Sequence, residues 1–195
     1  MIRFFDILFS GLGLLVLSPL FLVLYVLIRI ESRGGGFYSQ ERTGKDGVPF
    51  RLYKFRSMRR DADKGRLITI GGHDPRITRM GYFIRKYKLD ELPQLWNVFT
   101  GDMSLVGPRP EVGKYTDLYT EEQRKVLSVR PGITDWASIE YVDENEILEY
   151  AEDPDKTYVE QIMPDKIRYN MRWIDRQGIV EYFKIIFCTF FRILR

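Results

Sequence analysis

Between residues 7 and 28 the chain carries no charged side chain, and Leu, Val, Ile and Phe fill most positions. As one helix at ~1.5 Å per residue, this run measures about 33 Å, enough to cross a ~30 Å hydrocarbon core. Ser18 and Pro19 interrupt it near the middle. Proline donates no backbone N–H and its ring crowds the carbonyl of Leu15, so a kink is expected there. Two readings stay open on residue physics: a kinked span, or a helix that turns back and leaves on its side of entry. The flanks do not choose between them, with Arg3 on one side and Arg29 and Arg33 on the other. A cleaved signal peptide fits poorly, because the run is long and lacks a small-residue cleavage site before a polar start.

Beyond Gly34-Gly35-Gly36, a flexible joint, the pattern changes. Residues 37–41 and 48–55 read as two short strands joined by a turn at Gly44-Lys45-Asp46-Gly47. Period-two alternation puts Lys54 and Arg56 on one face of the second strand. The mixed stretch 61–70 gives no firm assignment, and Gly71-Gly72-His73-Asp74 reads as a loop. Residues 79–87 predict a helix, and 93–99 a second short one closed by Gly101. Thr120 and Gln123 resemble a capping box whose helix stops before Arg130-Pro131-Gly132. The acidic stretch 143–152 reads as a solvated helix face plus loop. In residues 179–195, Glu181, Lys184, Cys188, Arg192 and Arg195 recur at three- and four-residue intervals, while Phe, Ile, Val and Leu fill the remaining arc. That is an amphipathic helix with a narrow basic stripe, and its wide aromatic arc favours the headgroup region over an ordinary core position.

The chain of 195 residues, long enough for one good core, has a formal charge of only +3, so no global basic field points to nucleic acid. One cysteine, Cys188, allows no internal disulfide, and with the lone His73 it cannot build a zinc site. No Gly-x-x-x-x-Gly-Lys loop is present, and Gly11 and Gly13 do not follow a strand as a dinucleotide fingerprint requires. Trp96, Trp136 and Trp173 read as core or interface residues, with Trp136 placed to line a pocket.

Candidate chemistry centres on residues 85–110. Asp90 and Glu91 stand just before Pro93, Arg85, Lys86 and Lys88 precede them, and Arg109 follows in the rigid turn Gly107-Pro108-Arg109-Pro110. The competing reading of the acids is helix capping. Yet capping needs no such excess of cations. A carboxylate can attack phosphorus to give an acyl phosphate, and its neighbour can supply the hard oxygen that Mg²⁺ prefers. Arginines then neutralise charge on the phosphoryl oxygens.

The segments YKFRSM (53–58), DPRITRMG (74–81), LDELPQLWNVFTGDMSLVGPRPE (89–111) and VRPGIT (129–134) together resemble the bacterial sugar transferase family, the monotopic phosphoglycosyl transferases, in the family's order over essentially the whole chain. The resemblance implies transfer of a sugar 1-phosphate from a UDP-sugar to polyprenyl (undecaprenyl) phosphate with Mg²⁺, releasing UMP. It implies Asp90 as nucleophile on the β-phosphate and Glu91 as metal-binding partner. Lys54, Arg56, Arg85 and Arg109 would lie near the phosphates. Ser18-Pro19 matches the break that makes the family's first helix re-entrant, which places both termini and the site on the cytoplasmic face of the bacterial inner membrane. The implied architecture is α+β, mostly helical with a small β-hairpin. Residues 1–33 form the re-entrant membrane helix, and 34–195 form the catalytic body, ending in an interfacial helix. Membrane lipids are expected partners, nucleic acid is not, and a homodimer is left open. No added N-terminal membrane domain and no fused acetyltransferase or aminotransferase is expected. The chain departs from the usual motif after VRPGIT, with Asp135, Trp136, Ala137 and Ser138, which bears on donor choice. A non-catalytic membrane-bound scaffold for glycan assembly is the alternative function.

Overall fold

A computed structural model describes residues 1–32, 34–60, 62, 74–141 and 143–193. The expectations for most of 61–70, for Gly71-Gly72-His73, and for Arg33 and Arg195 lie outside these residues.

The apolar run forms two helices, α1 (Ile2–Val16) and α2 (Ser18–Glu31), bent by 60° across Leu17. Pro19 sits in the first turn of α2, where its missing N–H costs nothing. The Ser18 hydroxyl donates to the Leu15 carbonyl at 2.8 Å, supplying a partner where the backbone ladder is broken. Among the described residues no single helix is long and apolar enough to cross a membrane, whereas the bent pair together has the length and composition. Phe4, Leu12, Leu15, Leu22 and Ile30 lie exposed along the pair.

β1 (Phe37–Thr43) and β2 (Pro49–Phe55) form the expected antiparallel hairpin, with Phe37 opposite Phe55 and Thr43 opposite Pro49. Its turn runs through a 3₁₀ stretch, Lys45–Gly47, where Asp46 and Gly47 adopt positive φ. α3 (Arg79–Lys86) and α4 (Gln94–Thr100) follow, α4 ending at Gly101 with φ 107°. The Thr120–Gln123 capping box forms reciprocally, at 2.9 and 3.2 Å, but the helix it opens is a 3₁₀ run, Gln123–Ser128. The sequence reading did not anticipate a short parallel pair, β3 (Ser104–Val106) with β4 (Gly132–Thr134), which brings the GPRP and RPGIT segments together. Between them lies α5 (Gly113–Thr116). The rest is helical: α6 (Trp136–Glu140), α7 (Glu144–Glu149), α8 (Pro154–Thr157), a π-helical stretch (Tyr158–Ile162), α9 (Met163–Asp175) and α10 (Ile179–Ile193).

α10 packs one face against the core and leaves an aromatic arc exposed. Tyr182 and Ile185 are fully buried against Val106 and Trp173, while Val180, Phe187, Phe190 and Phe191 remain exposed. Its polar stripe is committed to tertiary contacts. Glu181 accepts from Trp136 Nε1 at 2.8 Å, Lys184 lies over the Trp136 ring, and Arg192 approaches Asp143 at 3.7 Å. Trp136 is therefore a link between α6 and α10, and it is not among the wall residues of the two chambers described below.

Two charged residues at the very start of the chain fasten α1 to the body. Arg3 donates to the Val98 and Phe99 carbonyls at 2.6 and 3.0 Å, taking up acceptors that the end of α4 leaves open. Asp6, buried, accepts from the Ser104 hydroxyl and the Leu105 N–H, both at 2.9 Å, and from the Tyr182 hydroxyl at 2.8 Å. Asp6→Ala strands these buried donors and is expected to cost about 3 kcal/mol. Thermal unfolding in detergent measures it, and an unchanged midpoint would mean that the clasp contributes nothing.

Candidate active site

Lys88 ends α3 in the left-handed region, φ 54°, and turns the chain into a 3₁₀ turn, Leu89–Glu91. Leu89 and Leu92, three apart, pack inward against the cluster of Leu24, Ile28, Phe55 and Ile84. That leaves Asp90 and Glu91 between them to face a cleft. α4 carries no side-chain cap, so neither acid is committed to capping it.

The two neighbours meet different surroundings. Glu91 accepts from Lys54 Nζ at 2.9 Å, from Arg109 Nη1 at 3.2 Å, and from Arg109 Nη2. Burial pushes its pKa up, but the charges of Arg109 and Lys54 outweigh burial and hold the carboxyl well below the usual range. Asp90 accepts no hydrogen bond from any described residue. Burial raises its pKa and repulsion by Glu91 adds to this, against the opposing charges of Lys54, Arg85 and Lys88. Burial lowers the pKa of Lys54, with Glu91 opposing, and the charge of Glu91 raises that of Arg109.

A cleft of about 270 Å³ opens in front of Asp90. Eight cationic side chains line it against three carboxylates, an excess that suits a polyanion such as a diphosphate. A second chamber of about 220 Å³ shares Lys54, Arg85, Asp90 and Arg109 with the first and continues to Lys88, Ser138 and Tyr141. Sequence reasoning thus named four groups that the fold gathers at one point: Lys54, Arg85, Asp90 with Glu91, and Arg109. Arg56 also lines the cleft, but its guanidinium donates to the Gly35 and Phe37 carbonyls at 3.0 and 3.2 Å and fastens the glycine joint. Ser18 and Pro19 line neither chamber.

Other wall residues were not foreseen. Lys166, buried on α9, lies 2.9 Å from Glu144 and 3.8 Å from Glu111. Burial lowers its pKa, but the two acids prevail and keep it raised. The Tyr158 hydroxyl donates to Glu111, and Arg42 donates to the Pro110 carbonyl at 3.2 Å. Glu144 lies in the stretch 143–152 expected to be solvated; it lines the cleft instead, because Lys166 draws it inward. One signal was available: Lys166 falls on the same arc of α9 as Met163, Ile167 and Asn170, all buried.

The departure at Asp135 has a structural reading. Fully buried, Asp135 accepts from the Ser138 N–H at 2.6 Å and from the Arg109 N–H at 3.2 Å. It caps α6 and holds the turn that presents Arg109.

A magnesium ion fits the donor set. A carboxylate offers about four lone-pair sites, and the three bonds to Glu91 leave one on Oε2. No cluster of three acids or metal-ligating side chains occurs among the described residues. Mg²⁺ bound through one or two carboxylates, with phosphates and waters completing its shell, needs none.

Glu91→Gln leaves Lys54 and Arg109 facing a neutral amide. We expect a cost of about 3 kcal/mol at neutral pH and a fall in activity as Arg109 loosens. Because the folded pKa of Glu91 is depressed, its stabilisation is present above the ordinary carboxylate range and fades only in strong acid. Denaturant titration across pH measures this, and a gap that closes near neutrality would contradict it.

Residues 1–195 match the bacterial sugar transferase family. The chain belongs to that family. It is 44% identical over 138 residues to an uncharacterized sugar transferase of Bacillus subtilis, covering 70% of this chain and 67% of that one. It is 38% identical over 195 residues to the UDP-N-acetylgalactosamine-undecaprenyl-phosphate N-acetylgalactosaminephosphotransferase of Aeromonas hydrophila. It is 33% identical over 191 residues to the UDP-glucose:undecaprenyl-phosphate glucose-1-phosphate transferase of Escherichia coli. Those matches cover 98% and 96% of this chain, which spans only 43% and 39% of the two relatives.

Proposed function

We propose that this bacterial sugar transferase moves a sugar 1-phosphate from a UDP-sugar to polyprenyl (undecaprenyl) phosphate, releasing UMP, through a covalent phosphosugar on Asp90. The observation that carries the reading is the unequal fate of two adjacent acids. Glu91 is neutralised by two cations, while Asp90 faces the cleft with no described donor. An oxygen of Asp90 attacks the β-phosphorus of the donor. The bond from that phosphorus to the bridging oxygen breaks, and UMP departs with the electron pair. An oxygen of the acceptor phosphate then attacks the same phosphorus, and Asp90 leaves as a carboxylate. Lys54, Arg85 and Arg109 bind and orient the phosphoryl oxygens throughout. Glu91 would hold Mg²⁺, which when bound neutralises charge on the transferring phosphate.

For the membrane, the reading is re-entrant insertion of α1 and α2 from the cytoplasmic face of the bacterial inner membrane. The 60° bend, the exposed apolar faces of α1, α2 and α10, and the tie of Arg3 and Asp6 to the body support it.

The test is nucleotide release by nanodisc-held protein given Mg²⁺, undecaprenyl phosphate and a panel of UDP-sugars. UMP is expected. UDP would mean ordinary glycosyl transfer, and no nucleotide release across the panel would favour the scaffold.

A further inference from the structure

We infer that the two chambers around Asp90 divide the substrates: the one reaching Lys88, Ser138 and Tyr141 takes the lipid phosphate acceptor, and the other takes the nucleotide. The assignment rests on the transfer reading above and deepens it. Transfer through a covalent intermediate exposes one phosphorus in turn to two different partners. The leaving nucleotide and the incoming lipid phosphate must each reach Asp90, and two adjoining spaces sharing Lys54, Arg85 and Arg109 allow that.

Three observations assign the spaces. The first is which elements frame the second chamber. Lys88 terminates α3, which packs on α2, and Ser138 lies on α6, which Trp136 ties to α10. α2 and α10 carry the exposed apolar faces. The second is the surface beside Lys88. Phe83 on α3 and Tyr87 at its C-terminal end are half exposed with rings 5.2 Å apart, and Lys86 lies over the Tyr87 ring. Aromatic rings with adjacent lysines suit the headgroup level of a bilayer, where a lipid phosphate resides. The third is Ser138 Oγ on the wall of that chamber, buried and without a hydrogen-bond partner among the described residues, a hydroxyl free to donate to a phosphate oxygen.

The first chamber differs in chemistry. Tyr38, Gln40, Tyr115 and Tyr158 stand among its cations, the flat and amide-bearing surfaces that suit a nucleoside beside a diphosphate. Its walls include residues of β1 and β2 and the packed pair Tyr115 and Tyr158, and none from α6.

The two half-reactions separate the claims. With a UDP-sugar panel, Mg²⁺ and no acceptor, unaltered protein should release a burst of UMP equal to the enzyme present. Ser138→Ala should keep that burst in rate and amplitude. It should lower kcat/KM for undecaprenyl phosphate roughly ten-fold or more, as expected for a lost contact to a charged group. Gln40→Ala should do the reverse, slowing the burst and leaving kcat/KM for the acceptor intact. A variant that merely damages the fold would slow both halves. If Ser138→Ala slows the burst, or leaves acceptor kcat/KM unchanged, the assignment is overturned. If the unaltered protein gives no burst with any UDP-sugar, the transfer reading fails and the assignment falls with it.

Discussion

Asp90→Asn is expected to abolish turnover, by roughly 10⁴-fold or more, while making the protein more stable at neutral pH. Loss of activity follows because an amide cannot form the acyl phosphate. The gain in stability follows from the site's electrostatics. Burial and the charge of Glu91 raise the folded pKa of Asp90 above its unfolded value. The folded state therefore binds the proton more tightly, and stability contributed by this group falls as pH rises through that window. Asn has no such penalty, so the variant should gain about 1 kcal/mol at neutral pH, the usual scale for relieving a functional site. The advantage should vanish as pH drops below the ordinary carboxylate range, where the native Asp90 is protonated in both states. Activity should likewise decline on acidification through a pKa above that of an exposed aspartate. Residual turnover in the variant would remove Asp90 as nucleophile, and a loss of stability would make it a structural acid.

Gly132→Ala is the second large effect. A Cβ there would stand 2.1 Å from the Gly107 nitrogen and 2.4 Å from its carbonyl oxygen, and both are backbone atoms that no rotamer change can move. Gly107, just past β3, lies against the start of β4 at this point, with Gly107 N–H donating to the Thr134 carbonyl at 3.0 Å and Gly132 N–H donating to the Pro108 carbonyl at 2.9 Å. Relief requires separating the strands, so we expect a cost of about 3 kcal/mol or more. Arg109 leaves the same turn two residues after Gly107, so activity should fall further than stability alone explains. Thermal unfolding alongside the nucleotide assay decides this. Native stability in the variant would mean that the two segments do not meet as described.

Where signals were local, the sequence was legible. The hairpin, the ends of α3 and α4, the capping box and the break at Ser18-Pro19 each announce themselves through turn residues, caps or period. Adjacent acids among cations marked the reactive turn, because Lys88, Asp90 and Glu91 lie within four positions. Contacts across long separations left no such mark. β3 and β4 are three residues each, too short for alternation to register, and they pair in parallel across more than twenty residues. The flanking charges weighed in the sequence did not include Asp6, which binds groups on β3 and α10. Glu144 read as solvated until Lys166, itself on an apolar arc, supplied its partner. Arg56 shared a face with Lys54 as alternation required, but alternation could not show that Gly35 and Phe37 would hold its guanidinium.

The central claim, that Asp90 carries the phosphosugar, is tested most directly by the intact mass of the protein after incubation with UDP-sugar and Mg²⁺ and no acceptor. The account predicts a gain of one sugar phosphate, mapped to Asp90, absent from Asp90→Asn and discharged by undecaprenyl phosphate. Turnover to UMP with no mass gain at any stage would contradict it, because the phosphoryl group would then pass directly from donor to lipid.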